Sequence, residues 1–155
     1  MAPLTLPSRK TCTAAKHEAD REQIASLRAF VDALPAVLPL GHRDLVMGFT
    51  LGYPVGTIRP FVESLRTAGA FLGTAVLFVK PEDTELTAYL RSRGIAVVVF
   101  NKQAYPVANL NMARWFAYFD YLRGCMQKGQ HYRNILLTDV RDVIFQKPLF
   151  RVPCG

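Results

Sequence analysis

Cysteine is scarce in this chain, and the three that occur, Cys12, Cys125 and Cys154, lie far apart. They form no Cys-x-x-Cys pair and no Cys/His spacing of the zinc-binding kind. That argues against a disulfide framework or a structural zinc site, and reduced thiols are expected. Long hydrophobic runs are missing too. No window approaches 18 uninterrupted apolar residues, so no membrane span is expected. The opening residues, Met1 to Lys10, lack the apolar stretch of a signal peptide, which leaves the cytoplasm as the default expectation. Runs of like charge, an Arg/Gly-rich tail, internal repeats and low-complexity tracts are all absent. His17, His42 and His131 are scattered and read as surface residues. No Ser/His/Asp or Cys/His set is legible, so nothing points to a nucleophilic triad.

What is present is a foldable composition. The 155 residues are 50% apolar and carry 19 basic against 12 acidic side chains, a formal charge of +7. Disorder requires low hydrophobicity together with high net charge, and only the charge is raised. The length suits one domain with one sizeable core. Most of the charge lies late: residues 111–155 hold seven basic residues against Asp120, Asp139 and Asp142. Basic residues interleave there with aromatics (Arg114, Trp115, Tyr118, Tyr121, Arg123), a pattern compatible with nucleic acid. A helix with solvated basic groups above a buried aromatic face accounts for it as well and is favoured. A basic end of this kind also suits a small polyanion such as a nucleotide diphosphate.

Residues 1–16 read as a flexible tail. Ile24, Leu27, Val31 and Leu34 are spaced for one amphipathic helix over 17–34, closed by Pro35, and a Pro-punctuated linker follows. Residues 1–40 are thus set apart from a domain over 41–155. Within that domain, apolar runs at 45–50, 75–79, 95–100 and 134–138 alternate with helical spacing. Ile58, Phe61, Val62 and Leu65 mark the first helix. Leu86, Tyr89 and Leu90 mark the second, with Asp83 or Thr84 as N-cap and Gly94 as its stop. A long helix over 109–128 is expected to bury Met112, Trp115, Phe116, Phe119, Leu122 and Met126, with Trp115 in the core rather than under a sugar. The strand runs are continuous rather than alternating, which predicts strands covered on both faces. The fold class is therefore α/β: a mainly parallel, Rossmann-like sheet with helices on both faces, preceded by an N-terminal helix. Ligands bind such sheets at the carboxyl ends of the strands, so the informative residues are 50–56, 80–83, 100–105 and 139–146.

The first of these strand ends, Gly48 to Gly56, has neither the G-x-G-x-x-G order nor a Gly-Lys-Ser/Thr, so a dinucleotide or P-loop site is disfavoured. Its glycines either shape a loop or hold a ligand. The fourth carries Asp139 and Asp142 directly beyond an apolar strand. Carboxylates there need a partner or a cation, and Mg²⁺ or Mn²⁺ favours such oxygen ligands, completed by substrate phosphates. Arg141 between them reads either as a partner for one Asp or as a phosphate donor.

The segment Asn134-Ile-Leu-Leu-Thr-Asp-Val-Arg-Asp-Val-Ile-Phe-Gln-Lys-Pro-Leu-Phe150 resembles the metal-binding segment of glycosyltransferases with the GT-A fold. In those enzymes an apolar strand ends in Asp-x-Asp. Gly48-Phe-Thr-Leu-Gly-Tyr53 and Ile58-Arg-Pro-Phe-Val-Glu-Ser-Leu-Arg66 are similar to the opening of that fold. The resemblance covers about residues 43–150, the nucleotide-sugar-binding half. It implies a nucleotide-diphosphate sugar as ligand, Mn²⁺ or Mg²⁺ as cofactor, and an unknown acceptor (glycan, protein or small molecule). By position it implies Thr50 and Tyr53 near the base or ribose, Arg114 near the donor sugar, and Asp139 in the first-aspartate role. Arg141 stands where the second aspartate is usual, and Asp142 comes one residue later. Either the turn brings Asp142 to the ion, or Arg141 partly replaces the metal by pairing with the diphosphate. Only thirteen residues follow Asp142, so a catalytic base and an acceptor cleft are not expected here. The chain reads as truncated at its acceptor side, and a catalytically inactive nucleotide-binding or protein-interaction module is the alternative. A haloacid-dehalogenase-type phosphotransferase fits less well, because its aspartates lie at the start of the domain.

Overall fold

The computed structural model describes residues 43–105 and 107–150. The expected tail, helix over 17–34 and linker lie outside the described residues, as do Cys12, Cys154, His17 and His42. The described chain runs β1 (Asp44–Phe49), α1 (Val55–Arg66), β2 (Thr74–Val79), α2 (Thr84–Ser92), β3 (Ala96–Val99), a 3₁₀ turn (Lys102–Ala104), α3 (Leu110–Gln127) and β4 (Asn134–Asp139). All pairings are parallel, in the order β3-β2-β1-β4. The α/β class expected from the continuous apolar runs is the one observed, with each strand displaced by no more than a residue or two from its expected span.

The runs are continuous because alternate residues serve two cores. Val46, Ala75, Leu77 and Val97 face α1 and α2, packing on Ile58, Phe61, Val62, Leu65, Leu86 and Leu90. Leu45, Met47, Val76, Phe78 and Val98 face α3 instead. Each fully buried side chain of this size contributes roughly 1.5–3 kcal/mol, so neither face tolerates a polar residue. β4 departs from the expectation of full cover. Among the described residues it is an edge strand paired with β1 alone; Leu136 and Leu137 are half-buried and Ile135 is 45% exposed.

The expected face of α3 is corrected by the structure. The helix packs through Ala113, Ala117, Tyr118, Tyr121 and Cys125. Trp115 is 53% exposed, Phe119 61% and Met126 62%, and Met112 and Phe116 are exposed as well. The sheet beneath already presents the bulky Met47, Phe78 and Phe49. The small residues at 113, 117 and 125, one or two turns apart, let the helix settle onto it. Larger side chains are left for the outer faces, so residue size points to the wrong face.

Two polar clusters fix the amino edge of the sheet. The Arg66 guanidinium donates to the carbonyls of Phe71 (2.8 Å), Gly73 (3.2 Å) and Gly94 (2.9 Å), closing the loops that enter β2 and β3. Asp44 accepts from Arg133 (3.1 Å) and Asn134 (2.8 Å), which locks the start of β4 against β1.

At the carboxyl edge the chain leaving β4 folds back over the sheet. Val140 is fully buried in the α1/α2 core and rests on Gly48, where a Cβ would overlap Val140 Cγ1 and approach Leu77 Cδ2 to 3.2 Å. Downstream, Phe145 meets Phe61 (5.4 Å between rings) and its N–H donates to Ser64 Oγ (3.0 Å). Gly48→Ala should therefore destabilise the domain by about 1–3 kcal/mol through overpacking. Val140→Ala, tested in the same background, should recover part of that loss. Denaturant unfolding of the two single variants and the double variant checks this; strictly additive losses would show that the two positions do not interact.

Candidate functional site

β1 connects to β2 through α1, and β2 to β3 through α2, on one face of the sheet. The chain then crosses by α3 on the other face and returns to the far side of β1 as β4. The gap between β1 and β4 at the carboxyl edge is thus a topological switch point, where open α/β sheets leave room for a ligand. A cleft of about 110 Å³ opens there.

Three elements build it. From the β1 end come Phe49, Leu51 and Tyr53; from the start of α3, Leu110, Asn111 and Arg114; from β4, Thr138 and Asp139. Phe49 forms a rigid floor, stacked on Phe78 (4.6 Å) and edge-on to Phe100 (4.9 Å) and Tyr118 (5.2 Å). The β1 loop turns sharply at Gly52, whose φ of +76° lies in the left-handed region that glycine adopts freely. Tyr53 N–H donates back to Thr50 O (3.0 Å), which brings the Tyr53 ring to the cleft wall.

Thr50 does not reach the cleft. It is fully buried, and its hydroxyl donates to Phe78 O (3.0 Å), beside a backbone bond to the same carbonyl (2.9 Å). It ties the end of β1 to β2 rather than meeting a base or ribose. Asp83 departs in a similar way. It stands at the N-cap of α2 without a side-chain cap bond. Its carboxylate instead accepts from Lys80 N–H (3.2 Å) and Gly52 N–H (3.4 Å), joining two strand-end loops.

The structure does bring Tyr53, Arg114 and Asp139 together. Arg114 lies near the N-terminus of α3, where the helix dipole already favours negative charge. Its Nε is buried, with no hydrogen-bond partner among the described residues, and its guanidinium lies 5.6 Å from the Trp115 ring. Asp139 Oδ1 accepts from Arg141 N–H (3.1 Å). Among the described residues no ion pair forms between Arg114 and Asp139. Arg141 sits on the rim, 5.9 Å from the Tyr53 ring centroid. Phe49, Leu51, Leu110, Asn111 and Thr138 were not singled out from sequence. Asn111, next but one to the capping Asn109, carried the best available signal, as a polar residue opening an apolar helix.

The two carboxylates assigned to Mn²⁺ or Mg²⁺ are not equivalent. Arg141 grips both oxygens of Asp142, with Nε at 3.1 and 3.0 Å and Nη2 at 2.7 Å. That contact holds the Asp142 carboxyl below its ordinary range and raises the Arg141 guanidinium. Asp139 alone presents an unengaged oxygen. Among the described residues no group of three or more His, Cys, Asp or Glu is placed to hold an ion. Two carboxylates, one of them ion-paired, would need the phosphates of a bound ligand to complete the shell of a divalent cation.

No protein-family model, no curated protein and no solved structure matches this chain. Among the described residues no helix is long and apolar enough to cross a membrane.

Beneath the cleft, burial pushes the Tyr118 phenol up to about 12, with Arg114 drawing it down and Asp139 pushing it up. Burial likewise pushes Tyr132 to about 12. A phenol whose value rises on folding stabilises the native state fully below its unfolded value near pH 10. That stability is lost as pH climbs through 12. Denaturant unfolding between pH 9 and 12 should therefore show falling stability, and Tyr118→Phe should remove on the order of 2 kcal/mol of the fall. An unchanged pH profile in the variant would refute the assignment.

Proposed function

We propose that the cleft binds a nucleotide-diphosphate sugar, and that the chain is a glycosyltransferase-like donor-binding domain. The observation that carries this reading is the convergence of an aromatic wall, a guanidinium and a strand-end carboxylate at the switch point between β1 and β4. Such a gap accepts nucleotides in other open α/β sheets. Tyr53 offers a face on which a base stacks, and Arg114 offers donors to a phosphate. The resemblance of the segments at 48–66 and 134–150 to GT-A enzymes points the same way.

The division of labour follows from position. The base lies on the Tyr53 side, toward the β1 loop. The diphosphate lies toward Arg114 and the start of α3. In a transfer reaction the same groups stabilise the departing diphosphate as negative charge develops on it. The cleft is small against such a ligand, so the sugar extends beyond it across the carboxyl edge, where an acceptor hydroxyl has access. A non-catalytic module with the same cleft binds nucleotide but leaves a donor sugar intact. Release of free sugar from a panel of UDP- and GDP-sugars therefore separates enzyme from binding module.

Calorimetric titration with UDP and GDP, each with and without Mn²⁺, tests the reading. At least one nucleotide should bind. Tyr53→Ala should weaken that binding about tenfold or more, in keeping with roughly 1–3 kcal/mol for a base stacked on an aromatic ring. No binding of either nucleotide under any of these conditions would overturn it.

A further inference from the structure

α3 is apolar on both sides. Its inner side packs on the sheet through Ala113, Ala117, Tyr118, Tyr121 and Cys125. Opposite them Met112, Trp115, Phe116, Phe119 and Met126 stand exposed, with Leu122 half-buried between. These positions recur every three or four residues, so they form one continuous stripe along the helix. A helix that is apolar all round belongs in an interior, yet among the described residues nothing covers this side of α3.

We propose that residues 17–34 of the same chain cover this stripe, seated along it as a helix. Ile24, Leu27, Val31 and Leu34 are spaced three, four and three residues apart, and Phe116, Phe119, Leu122 and Met126 three, three and four. Both sets cover ten residue steps, about 15 Å of helix, so one stripe lies along the whole of the other. The tether reaches. Arg133 N–H donates to Arg43 O (2.7 Å) and Asn134 to Asp44 (2.8 Å), so the chain enters β1 at the edge of the sheet where α3 ends. Residues 35–42 bridge at most about 30 Å between residues 34 and 43. That suffices to set Leu34 beside Met126, with the segment running parallel to α3. The charge has the right sign as well. Residues 17–34 carry Glu18, Asp20, Glu22 and Asp32 against Arg21 and Arg28, whereas α3 carries Arg114 and Arg123 against Asp120. A second copy of α3 would set like charge on like. A tethered segment also acts at an effective concentration on the order of millimolar, which a free partner rarely reaches. The assignment does not depend on what the cleft binds.

Trp115 is the only tryptophan in the chain, so tryptophan fluorescence reports on this face alone. In the full chain, at a concentration where light scattering shows a monomer, its emission should be that of a shielded indole, and acrylamide should quench it weakly. Leu27→Asp with Val31→Asp puts two charges into the contact. Quenching should then rise roughly twofold or more and the emission shift to the red, because a buried unpaired charge is costly and the segment lifts off. Ala25→Asp with Ala29→Asp places the same charges on the other side of the segment and should leave the emission as in wild type. Exposure by both pairs alike would overturn the face-to-face arrangement. So would a Trp115 that responds identically in the wild-type monomer and in the Leu27→Asp, Val31→Asp variant. Shielding seen only where scattering shows a dimer would overturn it in favour of a second copy. Shielding gained only on adding phosphatidylserine vesicles would overturn it in favour of a membrane surface.

Discussion

Everything at the carboxyl edge depends on one close contact, Val140 seated on Gly48. β4 ends at Asp139, and the next residue turns into the core between the sheet and α1. Only a residue without a Cβ at position 48 leaves space for it. Because Val140 is held inside, its two neighbours are held outside: Asp139 faces the cleft and Arg141 the rim. The contact therefore converts a turn that is exposed on its outer side into one with fixed geometry. Phe145 on Phe61 and Ser64 continues the anchoring downstream.

Electrostatics, more than shape, gives the site its character. The charged groups at the strand ends divide into those already satisfied and those left open. Asp83 is satisfied by the Lys80 and Gly52 amides, and Asp142 by Arg141. Asp139 is half satisfied, and Arg114 Nε has no partner among the described residues. What remains open is one carboxylate and one guanidinium, side by side along an aromatic wall.

Much of the fold was legible because its signals are local. Val76, Leu77, Phe78 and Val79 leave no polar alternate position, and that alone distinguishes a strand covered on both faces from one half in water. Gly94 and Gly129, both at positive φ, stop their helices where the spacing said they would. The outward face of α3 was not legible. Met112, Trp115, Phe116 and Phe119 are as apolar as any core set, and helical periodicity cannot rank two apolar faces of one helix. That choice is made by what the sheet offers, and bulky Phe78 and Met47 favour Ala113 and Ala117 as neighbours. Thr50 was misplaced for a related reason. A hydroxyl at a strand end serves a ligand or a backbone carbonyl equally well on paper, and only the position of Phe78 O decides between them.

By itself the sequence determined the class of fold, the order of its elements and the edge of the sheet at which the cleft opens. Those follow from periodicity and turn residues, which act over a few positions. Tertiary structure alone decided that Tyr53, Arg114 and Asp139 share one cleft while Thr50 is buried and Asp142 is engaged by Arg141. Residues 53, 114 and 139 meet only because β4 pairs with β1 after a crossover on the opposite face. Which carboxylate is free is a matter of ångström-scale competition for hydrogen bonds, and residue spacing carries no record of it.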